Sequence, residues 1–123
     1  MARALTRSTE PWLRPYTPPK PQFFLGGAGT GAPLHYHKDA WNVIAYGTKR
    51  WYLYPPAATP YTTQHIADWV AASLNEGVRP RPPVQCTQYA GDVFIVPSGW
   101  GHGILNLGPT VGVAVEFSAV SNF

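Results

Sequence analysis

The chain is 123 residues long, with 12% charged residues and a net charge of +3. That length allows one domain with its own core. The basic residues Arg3, Arg7, Arg14, Lys20, Lys38, Lys49, Arg50, Arg79 and Arg81 form no cluster or stripe, which argues against a nucleic-acid partner. No run approaches the roughly 20 apolar residues of a membrane span and no signal-peptide pattern opens the sequence, so a soluble protein without a membrane contact is expected and its compartment stays unassigned.

Fourteen prolines, 12 glycines, five tryptophans and seven tyrosines favour short strands and tight turns, and the chain reads as mainly β. Residues 1–21 form a polar and then proline-rich lead-in that cannot enter a ladder interior. Strand-like runs follow at 22–26, 33–37, 40–46, 50–54, 84–89, 92–97, 103–107 and 111–117. Between the fourth and fifth, Ile66, Trp69, Val70 and Leu74 recur at helical spacing within 62–75, with Gly77 as a stop. One helix between two four-strand halves predicts a double-stranded β-helix, that is, a jelly-roll or cupin barrel, over 22–118, with a short tail at 119–123. On the last strand Val111, Val113, Val115 and Phe117 form a packing face, and Gly112, Ala114 and Glu116 a face with room for a cavity. Barrel edges in so small a domain call for covering by further chain, a protein partner or a second copy of the chain.

Three histidines carry the chemistry. His35 and His37 stand two residues apart in an expected strand, so both imidazoles face one way, and His102 arrives from far downstream to close a metal site. Three ligands on one side leave the other coordination positions open, as in a catalytic rather than a structural centre. The competing reading is three polar core residues satisfied by neighbours. His65 reads as a surface residue, Tyr36, Tyr52 and Tyr54 as packing or groove residues, and the lone Cys86 as a small buried hydrophobe.

Residues 91–106, from Gly91 through Pro97, Gly99 and His102 to Asn106, fit the second cupin motif G-x5-P-x-G-x2-H-x3-N at every fixed position. The first cupin motif is present in part, with the His-x-His pair and Gly47 but no glutamate. Read together, Gly26-Gly-Ala-Gly-Thr-Gly-Ala-Pro-Leu-His-Tyr-His37, Gly47-Thr-Lys-Arg-Trp-Tyr-Leu-Tyr-Pro-Pro56 and Cys86-Thr-Gln-Tyr-Ala-Gly91 resemble a JmjC domain of the small hydroxylase-type branch. The resemblance covers about residues 22–118. It implies Fe(II), with 2-oxoglutarate and O2 as cosubstrates, and relatives of this kind are placed in the secretory pathway.

Residue by residue, the resemblance puts His35 at the first metal ligand, His102 at the last, and Lys49 where a lysine pairs with the distal carboxylate of 2-oxoglutarate. His37 stands where the family carries Asp or Glu. An imidazole in place of an anionic oxygen raises the charge at the metal and removes one discrimination in favour of iron. Asp39, of the same strand parity as His37, and Glu116 are the additional carboxylates that would return an acid to the metal, and Asn106 is assigned to orient the cosubstrate. The function implied is an iron- and 2-oxoglutarate-dependent oxygenase, a dioxygenase hydroxylating a protein side chain, with no catalytic residue beyond the metal ligands. The alternatives are a catalytically silent metal-binding module acting through protein–protein interaction, and a three-histidine small-molecule cupin dioxygenase.

Overall fold

The computed structural model describes residues 20–74 and 82–117. The lead-in up to residue 19, the expected helix end at Asn75, part of the proline connector before Val84 and the tail from residue 118 lie outside the described residues. Eight strands and one helix follow in order: β1 (Gln22–Gly26), β2 (Gly31–His35), β3 (Ala40–Tyr46), β4 (Thr48–Tyr54), α1 (Ile66–Ser73), β5 (Val84–Tyr89), β6 (Val93–Val96), β7 (Gly101–Asn106) and β8 (Thr110–Glu116). They form two antiparallel four-stranded sheets, ordered β1-β8-β3-β6 and β2-β7-β4-β5. Every connection crosses from one sheet to the other except β4 to β5, which encloses α1, and β6 pairs back on β3. This is the double-stranded β-helix expected from the strand pattern, with its single helix between the two halves.

Several boundaries move, each for a local reason. The second strand runs over Gly31–His35 and not 33–37. Pro33 has no N–H to give the ladder, and the register with β7 shifts between Ala32 and His35, after which the strand ends. His37 is therefore past the strand, its carbonyl accepting from the Gly99 amide at 3.0 Å. The fourth strand begins at Thr48, so Lys49 is a full ladder member opposite Gln88 on one side and Asn106 on the other. The turn before it needs Gly47, whose φ of 98° suits no L side chain and whose added Cβ would lie 2.3 Å from the Pro109 carbonyl oxygen. The seventh strand starts at Gly101, which places His102 in the sheet, opposite His35 and Leu53. The helix is shorter than the 62–75 expected. His65 is exposed as expected, but it caps the helix: its Nδ1 accepts from the Ala67 amide at 3.2 Å, and its Nε2 lies 2.9 Å from the Gly29 carbonyl.

Alternation along β4 divides the molecule. Tyr52 and Tyr54 face outward and pack with Leu34, Ile66 and Trp69 under α1, forming the main apolar cluster. The Trp69 indole donates to the Tyr54 hydroxyl at 3.3 Å. Lys49 and Trp51 face inward, between the sheets, where space is left open. On β8 the packing set holds for Val115, which is buried, and Ala114 lines the internal cavity as the small-residue face predicts.

Candidate functional site

Between the sheets lies a cavity of about 440 Å³. Its lining includes His35, His37 and His102 at one end and Lys49, Asn42 and Asn106 at the other, with Phe24, Trp51 and Ala114 between. No Asp or Glu lines it, and Lys49 is the one Lys or Arg that does, among the described residues.

The histidine end is built locally. β2 delivers His35, β7 delivers His102 directly opposite, and the chain leaving β2 delivers His37. Ring centroids are 4.3 Å apart for His35 and His102, 4.6 Å for His37 and His102, and 5.5 Å for His35 and His37. Their ligand atoms all lie within 4.8 Å of one another. Each Nδ1 meets a backbone carbonyl: Pro33 for His35 and Lys38 for His37, both at 2.7 Å, and Trp100 for His102 at 3.0 Å. A carbonyl oxygen only accepts, so each Nδ1 carries the proton and each Nε2 keeps its lone pair for a cation. Burial pushes the buried His102 down to about 4, against the lift from the Trp100 carbonyl and together with the neighbouring His35 and His37, so this ring is neutral and ligand-ready at neutral pH. The donor set fits a divalent transition metal.

The two carboxylates considered as additional ligands are placed elsewhere. Asp39 accepts from the Ser98 amide at 2.8 Å, and Glu116 is exposed at the end of β8; neither belongs to the histidine group.

The opposite end is assembled from distant strands. Lys49 is only 4% exposed, and desolvation lowers its pKa from 10.5 to about 8. No carboxylate faces it; its Nζ lies over the Phe24 ring, 3.2 Å from the centroid. Asn106, its cross-strand neighbour, donates through Nδ2 to the Thr30 hydroxyl at 3.0 Å, and that hydroxyl donates to the Gly27 carbonyl at 2.7 Å. The Oδ1 atoms of Asn106 and Asn42 are buried without a partner. Two orphaned amide oxygens and an ammonium with no carboxylate beside it among the described residues thus share one cavity. The Trp51 indole donates to Gln88 at 2.8 Å and stacks on Phe94 at 4.3 Å, closing the cavity beside His102. Sequence reasoning singled out neither Asn42 nor Phe24. Asn42 had a signal, being a polar residue of the same parity as Ala40 and Ile44 in an otherwise apolar strand; Phe24 had none.

A cupin-type β-helix whose mouth gathers three imidazoles above a buried lysine is thus the class of protein defined here. No protein-family model matches the sequence. JmjC domain-containing protein 8 of Mus musculus is 36% identical over 97 residues, covering 77% of this chain and 36% of that protein. The 2-oxoglutarate and iron-dependent oxygenase JMJD4 of Gallus gallus is 32% identical over 103 residues, covering 73% of this chain and 24% of that protein. The structure of YcfD, a ribosomal oxygenase from Escherichia coli, superposes with a TM-score of 0.58 at 16% identity, covering 85% of this chain and 24% of that one. The chain belongs with the JmjC domain proteins, and spans about a third of the length of the first of these relatives. No described helix is long and apolar enough to cross a membrane.

Proposed function

We propose that the chain forms the core of an Fe(II)- and 2-oxoglutarate-dependent oxygenase that hydroxylates a protein side chain. The observation that carries this is one cavity with a cation-ready histidine cluster at one end and a buried, uncompensated ammonium at the other. A keto diacid needs both: metal coordination for its 2-oxo acid end and a cation for its distal carboxylate. The cofactor pair is the one named for the similar JMJD4.

In this reading His35, His37 and His102 hold iron through Nε2. Bound iron supplies O2 activation coupled to decarboxylation of 2-oxoglutarate to succinate. Lys49 pairs with the distal carboxylate, Asn106, held through its Nδ2 by the Thr30 hydroxyl, borders and orients the cosubstrate, and the Trp51–Phe94 stack excludes water. His37, where the family resemblance implies an acid, makes the ligand set neutral. That favours, as second reading, a module that keeps metal and fold while working through protein contacts.

The test is succinate release from purified protein supplied with Fe(II), 2-oxoglutarate and O2. Release that needs iron and disappears in Lys49→Ala is expected. Metal retention without keto-acid binding would establish the silent module instead, and His37→Asp, which restores the acid, is expected to raise uncoupled turnover.

A further inference from the structure

The Lys49 ammonium sits in the cavity without a counter-ion, and what faces it is an aromatic ring. Phe24 comes from β1, the edge strand of the opposite sheet, and its ring reaches the cavity because β8 gives way beside it: a Cβ on Gly112 would lie 2.5 Å from Phe24 Cζ. The contact is therefore made across the two sheets. From the other elements around the cavity Lys49 is met by Asn106 of β7, Gln88 of β5, Trp51 of its own strand and Asn42 of β3, all uncharged. The other titratable groups lining the space are His35, His37 and His102. A desolvated ammonium with no carboxylate among the described residues holds its proton less firmly, and the Phe24 π face is the negative potential placed directly against its Nζ.

We propose that Phe24 is a positioning residue for the cosubstrate: its ring holds the Lys49 ammonium charged and aimed into the cavity, and stays against it when a carboxylate arrives on the other side. This rests on the keto-acid reading above. Binding of the diacid adds an ion pair to the cation–π contact, which the ring keeps in the complex, so affinity is tied to the protonation of Lys49. It falls as pH rises through the titration of Lys49 in the free protein, which lies near 8. Removing the ring withdraws the contact that opposes this desolvation, and the fall then begins at lower pH.

The experiment compares wild type, Phe24→Leu and Phe24→Tyr in two measurements. The titration of Lys49 is followed by carbon-13 NMR at Cε in the ligand-free protein, and 2-oxoglutarate affinity is measured from pH 6 to 9 on Mn(II)-loaded protein without O2. Expected in Phe24→Leu is a downward move of both midpoints by about one pH unit, the size of a desolvated cation–π contact, with about fivefold weaker binding at pH 8 and recovery in Phe24→Tyr. An unchanged Lys49 midpoint in Phe24→Leu would overturn the role of the ring whatever the keto acid does. A shifted midpoint in a wild type that shows no saturable 2-oxoglutarate binding at pH 6.5 would overturn the positioning role together with the oxygenase reading.

Discussion

The two faces of β4 are made by alternate residues of one strand, yet they do opposite things. Tyr52 and Tyr54, turned outward, lie against Leu34, Ile66 and Trp69 in dense apolar packing. Lys49 and Trp51, turned inward, border an open cavity with a cation and orphaned amide oxygens. A small β-helix that keeps its barrel interior for a ligand cannot also use it as its main core. The apolar packing is displaced to the outside of the second sheet, and one short helix is enough to cover it.

The largest effect is expected on the packed face. Ile66→Ala empties a side chain that is 1% exposed and should cost about 2–5 kcal/mol in urea unfolding, with 2-oxoglutarate affinity at saturating metal unchanged. Equal loss of both would mean that the two faces are not separable.

The cavity face should respond in the other direction. Lys49→Met removes a buried, unpaired charge, and the ligand-free protein should gain up to about 3 kcal/mol at pH 7 while losing the keto acid. The pH dependence sharpens the contrast. Because folding lowers the Lys49 pKa from 10.5 to about 8, the unfolded chain binds more protons across that window. Wild-type stability should therefore rise with pH between about 8 and 10.5, and level off at its lower value below about 8. Lys49→Met should abolish that rise in thermal melts; persistence of the slope would assign it to another group.

The smallest change is Thr30→Val, which leaves the Asn106 amide without its acceptor. It should cost about 1 kcal/mol in the ligand-free protein and weaken 2-oxoglutarate severalfold, measured on the same samples.

What could be read in advance follows from range along the chain. Strand alternation and the glycine and proline stops gave the β-helix, because those signals act between neighbouring residues. His35 and His102 came from motif spacing, and Lys49 from the resemblance to the JmjC family carried by Gly47-Thr-Lys-Arg-Trp51. The route by which His37 joins them was misjudged: alternation in a strand was the warrant, but Pro33 breaks the ladder and His37 reaches the cluster from beyond the strand end. Phe24 and Asn42 were not singled out, since their importance depends on what the opposite sheet places against them. Nothing in the local sequence of Phe24 says that a lysine 25 positions later stands over its ring.

Gln88 has a wider consequence. Its side-chain amide, 1% exposed, accepts from the Trp51 indole in one sheet and donates to the Asn42 carbonyl in the other, and to that of Asp92. Sliding one sheet past the other would strand the Gln88 amide nitrogen and the Asn42 carbonyl in a dry interior. The spacing between the sheets is thus held by a buried hydrogen bond as well as by packing.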